Sequence, residues 1–194
     1  MTGDRPLTAA IEILTPNLRL RPIRLDDAGA MADLITPAIS RWTASLPASL
    51  SAEEAADRIR PIVMAMDAGD DVTLAIERIE TPGFIGWIGL RRLKERRRRA
   101  NLGYWIGEAF HGRGYTREAA RAFLSASWSL LDVDVIEAGA QPTNIASLAI
   151  LRGLGMKPVG ERMHFAPIRG REELCLYFEA RRPGKPLTHR SISA

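Results

Sequence analysis

Between residues 104 and 118 the chain reads Tyr-Trp-Ile-Gly-Glu-Ala-Phe-His-Gly-Arg-Gly-Tyr-Thr-Arg-Glu. An apolar strand run ends there, two glycines punctuate a turn, and a helical pattern starts at once. Backbone amides of Gly112, Arg113, Gly114, Tyr115 and Thr116 can converge in that turn, at the positive end of the helix dipole. Such a junction is a site for phosphate or pyrophosphate. Gly112 and Gly114 permit positive φ and the close approach of an anion, which a Cβ would hinder.

Periodicity supplies the remaining elements. Residues 11–25 alternate through Leu18, Leu20 and Ile23 and read as one strand. Asp26 or Asp27 caps a helix carrying Ala30, Met31, Leu34 and Ile35; Pro37 stops it, and a loop with Trp42 and Pro47 follows. Ser51 and Glu54 make a capping box ahead of a helix with apolar residues from Ala52 to Met66. Strands over 72–76, 84–90 and 102–106 come next, with Thr81-Pro82-Gly83 as a turn. A helix from Thr116, a strand over 133–140, a helix over 144–154 and two strands near 157–165 and 174–180 complete the pattern. The order β-α-α-β-β-β-α-β-α-β-β is that of an α/β (α+β) protein with a mixed sheet. It lacks the strict alternation of a barrel or doubly wound fold.

Composition narrows the class further. With 194 residues, 46% of them hydrophobic and 26% charged, the chain can bury a core without a disulfide or metal staple. One cysteine, Cys175, excludes an intrachain disulfide and any multi-cysteine zinc site. It alternates with Leu174 and Leu176 and reads as packing. No run approaches the ~20 apolar residues that span a bilayer, and the first ten residues lack an apolar signal core. The expectation is therefore a cytoplasmic protein with no membrane partner. Residues 1–182 form a single domain, and 183–194 are a polar tail. The formal charge is +4, and much of the excess lies in the run Arg91–Arg99. That run suits an anionic partner such as nucleic acid, but the usual fate of such a run is a solvated hairpin tip.

Two familiar phosphate loops fail at this glycine turn. A dinucleotide fingerprint needs G-x-G-x-x-G, and its last position is Arg117 here. A nucleoside-triphosphate loop needs G-K-[ST], which occurs nowhere in the chain. The third pattern is Q/R-x-x-G-x-G/A, met here by His111-x-x-Gly114-x-Thr116 with its first and last positions changed. Downstream lie Gln141-Pro142-Thr143-Asn144-Ile145-Ala146-Ser147 and Leu154-Gly155-Met156, and upstream lies Thr15-Pro-Asn-Leu-Arg-Leu-Arg-Pro-Ile-Arg-Leu-Asp-Asp27. Taken in order, these blocks resemble the GNAT N-acetyltransferases, in the branch that acetylates ribosomal-protein N-termini and related amines. They run from about Thr15 to Phe178.

The resemblance implies a GNAT fold, a mixed and mostly antiparallel sheet of about seven strands flanked by four helices. It implies acetyl-CoA as cosubstrate, no metal, and direct transfer of acetyl to a primary amine through a tetrahedral intermediate. The backbone at Tyr104, Trp105 and Ile106 should pair with the pantetheine arm, and the amides of Gly112, Arg113, Gly114, Tyr115, Thr116 and Arg117 should hold the pyrophosphate. Asn144 should hydrogen-bond the pantetheine, and Ser147 should face the sulfur as the acid. The family's alternative acid, a tyrosine seven residues after that asparagine, is Leu151 here. The usual Gly-Phe is Gly155-Met156, and an acidic residue that some members carry falls at about Ala166. The remaining choice of base is Glu137, on the strand before Asn144, with Glu108 as runner-up. Trp42 and His164 should flank the acceptor.

Attack on a thioester needs a deprotonated amine, a fixed N–H for the oxyanion, and a donor for the departing thiolate. The acceptor stays open between a protein N-terminus and a small-molecule amine, and a homodimer stays open too. Two other readings remain at this stage. One is an RNA- or ribosome-associated binding module using Arg91–Arg99, whose binding would weaken steeply with salt. The other is an acyl-CoA-binding protein without catalysis.

Overall fold

The computed structural model describes residues 11–95 and 98–184. Its centre is one sheet of eight strands in the order β1-β2-β3-β4-β5-β6-β8-β7. The strands are β1 Ile13–Leu14, β2 Leu18–Pro22, β3 Asp71–Arg78, β4 Phe84–Arg92, β5 Arg99–Ile106, β6 Val135–Ala140, β7 Lys157–Ala166 and β8 Arg171–Arg181. Five helices accompany them: α1 Ala28–Leu34, α2 Pro37–Ser40, α3 Ala52–Asp67, α4 Tyr115–Leu130 and α5 Ile145–Gly153. All neighbouring strands pair antiparallel except β5 and β6.

Two counts differ from the sequence expectation, each for a local reason. The stretch 11–25 is two short strands, because Thr15 turns the chain through Pro16. The Thr15 N–H donates to Leu18 O at 2.9 Å, and the Thr15 hydroxyl oxygen accepts from Leu18 N at 2.9 Å. Pro37 ends α1 and also begins α2. It occupies the first turn, where its missing N–H costs nothing, and Thr36 caps that turn through Ile39 N. The sheet therefore has eight strands where about seven were expected, and five helices where four were. The capping box at Ser51 and Glu54 is present. Asp27 stands at the start of α1, but its carboxylate is engaged elsewhere. It receives both terminal nitrogens of buried Arg21, at 2.9 and 2.6 Å, and the N–H of Arg24.

Strand alternation divides the core into two. Leu18, Leu20, Leu74, Ile76, Ile88, Leu90, Leu102 and Ile136 face α4 and α5, around the fully buried Phe123. On the other face Ala75 and Trp105 join Ile23, Met31, Ile39, Ala55 and Ile59 from the first three helices and their flanks. Each face is roofed by helices whose apolar residues recur at 3.6-residue spacing, so both layers exclude water. The sheet thus fixes where β5 and β6 lie. Residues 185–194, which hold most of the expected polar tail, lie outside the described residues, as do residues 1–10.

Candidate active site

The one parallel pair is also the shortest interior pairing. Arg99, Ala100 and Asn101 meet Val135, Ile136 and Glu137, and beyond those three rungs β5 and β6 no longer pair. β5 runs on to Ile106 and β6 to Ala140, leaving a wedge whose inner edges carry unmatched backbone groups. Paired residues share a face, so Glu137 and Asn101 lie on one side of the sheet and Tyr104 on the other.

At the open end of the wedge β5 passes through a single turn, Glu108–Phe110, into the glycine segment. Gly112 and Gly114 have φ of 73° and 81°, a left-handed conformation that side chains resist. A Cβ built on either would meet nothing within 4 Å, so the space beside them is open. Within α4 the first amide to find a carbonyl is that of Glu118, on Gly114 O. The amides of Tyr115, Thr116 and Arg117 precede it and remain for a ligand. His111 is fixed as a turn residue by a 2.8 Å contact between its Nε2 and Ile106 O.

Asn144 caps α5, its Oδ1 accepting from Ser147 N at 3.1 Å. The Ser147 hydroxyl lies 2.9 Å from the Tyr104 hydroxyl, joining α5 to β5 across the wedge. Burial pushes the Tyr104 phenol up to about 12, against a smaller lowering by Ser147. Trp105 packs edge-on against Phe84, and its indole N–H has no partner among the described residues.

Several expected residues sit elsewhere in the arrangement. Glu137 is buried, and it accepts from Arg99 at 3.1 Å and Arg162 at 3.3 Å. It stands at the apex of the wedge on the face opposite Tyr104, so it does not meet Ser147 directly. Glu108 accepts from the Thr36 hydroxyl, tying the glycine turn to the start of α2. Trp42 is half-buried with the Arg41 guanidinium 4.5 Å from its ring centre. His164 is exposed on β7, its Nδ1 lying 3.2 Å from the Tyr177 hydroxyl. The basic run is mostly engaged: Arg91 with Asp71, Arg92 with Asp70, Arg98 with Asp132 and Asp134, and Arg99 with Glu137 and Glu179. Arg96 and Arg97 lie outside the described residues.

One cluster escaped the sequence reading. Arg169 donates Nε and Nη2 to Glu173, both at 2.7 Å, and Nη1 to Ser40 O and Thr43 O, both at 3.0 Å. Gln141 also donates to Glu173, at 2.6 Å. The Arg169 guanidinium, aided by Arg171, holds the Glu173 carboxyl down to about 2, outweighing burial. This cluster binds the β7–β8 turn to the segment that carries Trp42. An arginine and glutamate four apart with a glycine between them carry no helical signal, so nothing in the sequence marked them. Among the described residues no group of three or more His, Cys, Asp or Glu is placed to hold a metal ion. Nor, among the described residues, is any helix long and apolar enough to cross a membrane.

The family model described as "Acetyltransferase (GNAT) domain" matches residues 17–157. The chain belongs to the GNAT acetyltransferase family. A GNAT chain is an acetyl-CoA-dependent acetyltransferase, and the glycine turn at α4 fits the anionic part of that cosubstrate. An uncharacterized N-acetyltransferase, p20 of Bacillus licheniformis, is 26% identical over 160 residues, covering 82% of this chain and 89% of p20. Two solved GNAT structures share the fold. The ribosomal-protein-S5-alanine acetyltransferase of Vibrio fischeri has a TM-score of 0.78 at 18% identity, covering 91% of this chain and all of that one. Mycobacterium smegmatis RimJ, solved with a CoA disulfide, has a TM-score of 0.76 at 20% identity, covering 88% of this chain and 84% of its own.

Proposed function

We propose that this GNAT enzyme transfers acetyl from acetyl-CoA directly to the primary amine of a protein N-terminus or a small molecule, in the cytoplasm. The observation that carries the reading is the wedge itself. β5 and β6 separate after three rungs, the amide-lined glycine turn stands at the open end, and Ser147 stands at the side. An extended pantetheine arm would fill the unmatched edge of β5 at Tyr104, Trp105 and Ile106, as an added strand would. The pyrophosphate would take the amides of Gly112 to Arg117, and the Asn144 side-chain NH2, not used in capping α5, would donate to the pantetheine.

The chemistry follows from that placement. The amine arrives as an ammonium ion and gives up one proton before attack, passed through water to Glu137, the base we assign at the apex on the acceptor face. Nitrogen then bonds to the thioester carbon, and a β5 amide near Ile106 receives the oxyanion. The C–S bond breaks as the tetrahedral centre collapses, and the Ser147 hydroxyl donates to the departing sulfur. A second proton leaves the nitrogen and one is taken up by sulfur, so free coenzyme A and an amide are the products. Trp42 and His164 would flank the acceptor, on a segment and a hairpin that Arg169 and Glu173 bind together. The reading is tested by following thiol release from acetyl-CoA across peptides with free N-termini, polyamines and aminoglycosides. Amine-dependent release in one class supports it, and binding of acetyl-CoA with no release in any class favours a non-catalytic protein.

A further inference from the structure

We propose that Tyr104 is a positioning residue for acyl transfer: its phenol donates to Ser147 Oγ and so turns the serine hydroxyl proton towards the wedge. This rests on the reading of Ser147 given above and adds a residue to it.

The two oxygens lie 2.9 Å apart, and either could donate. Among the described residues the phenol oxygen has no other polar partner, and its ring packs against the core beneath α4 and α5. If Ser147 donated, the phenol proton would be left in apolar surroundings with nothing to accept it, which is the costlier arrangement for a buried hydroxyl. If Tyr104 donates, the proton left over belongs to Ser147, which is half-buried like Tyr104 but stands in the first turn of α5 at the side of the wedge. The second sense satisfies the desolvated phenol and frees the hydroxyl at the side of the wedge.

Two further features favour the same sense. The phenol is neutral at physiological pH, and burial pushes it further up, so it keeps the proton it would donate. The Ser147 N–H is already held by Asn144 Oδ1, so the hydroxyl is fixed from both its backbone and its oxygen. A hydroxyl that accepts one hydrogen bond donates a stronger one, because each bond polarises the next. Charge on the departing sulfur would therefore meet an oriented, polarised donor.

The test is a double-mutant cycle with Tyr104→Phe and Ser147→Ala, reading kcat, the Kd for acetyl-CoA and the thermal midpoint. Phenylalanine keeps the ring that packs and removes only the hydroxyl. In the wild-type background Tyr104→Phe should lower kcat by about tenfold, the size of a well-coupled contact. The Kd should stay within about twofold, as expected when an interaction matters only in the transition state. In the Ser147→Ala background the same change should cost less than about twofold, since residues acting as a unit do not add. An equal loss in both backgrounds, or no loss in the wild type, overturns the role of Tyr104. A Ser147→Ala enzyme as fast as wild type overturns the reading of Ser147 instead, so the two failures are separable.

Discussion

Glu118 in the first turn of α4 accepts two hydrogen bonds from Asn17, one from its backbone N–H at 2.9 Å and one from its side-chain Nδ2 at 3.0 Å. The Thr15 hydroxyl adds a third at 2.6 Å. Two blocks of sequence a hundred residues apart therefore meet in one carboxylate. The turn between β1 and β2 becomes an anchor for the helix whose N-terminal amides would hold the coenzyme.

That anchor gives a pH-dependent stability. Burial pushes the Glu118 carboxyl up, but the donors at Thr15 and Asn17 together outweigh it and hold the group below its ordinary value. A carboxylate lowered in the folded state adds stability above its unfolded value of about 4.3, and that stability is lost as pH falls through the folded value. Glu118→Gln should cost about 1 kcal/mol at pH 7, the lower range for bonds to a partly solvated charge. Urea unfolding should show the gap between variant and wild type narrowing between pH 7 and pH 3. A gap that is the same at both pH values contradicts the assignment.

Ser147→Ala should slow turnover while leaving acetyl-CoA affinity nearly unchanged, because in the proposed role the hydroxyl would donate only as charge builds on sulfur. Loss of a general acid costs roughly 10²- to 10⁴-fold, and the low end is expected for a thiolate, already a good leaving group. Steady-state kinetics beside calorimetric binding separate the two effects. A loss of affinity with kcat unchanged would place Ser147 in binding alone.

The basic run divides by residue. Arg99 holds Glu137 and Glu179, whose side chains are 6% and 7% exposed, so Arg99→Ser should destabilise the fold. Removing one partner of a buried pair costs roughly 3–5 kcal/mol, and about 2 kcal/mol is expected here because Arg162 and Arg181 still reach the two acids. Chemical denaturation reads this directly. A variant as stable as wild type would return Arg99 to the role of a solvated surface charge.

Elements with strong local signals were legible. The capping box at Ser51, the glycine turn and the helix that follows Asn144 each declare themselves within a few residues, and each is present where it was read. The split of 11–25 was not legible, because the turn at Thr15–Asn17 is completed by Glu118, far along the chain. The run Arg91–Arg99 looked like one surface feature because sequence shows charge but not the acids opposite it. Asp71, Asp132, Asp134, Glu137 and Glu179 come from β3, the α4–β6 connection, β6 and β8. For the site, the backbone cradle was readable as a pattern, whereas the Tyr104–Ser147 contact and the Arg169–Glu173 brace depend on packing between distant elements.

The coenzyme assignment is tested most directly at Gly114. Gly114→Glu places a carboxylate in the amide cradle and a side chain at a φ of 81°. The variant should remain folded by circular dichroism, lose calorimetric binding of acetyl-CoA, and lose amine-dependent thiol release, while wild type yields one free thiol for each acetylated amine. A folded Gly114→Glu protein that binds acetyl-CoA with wild-type affinity would contradict the account.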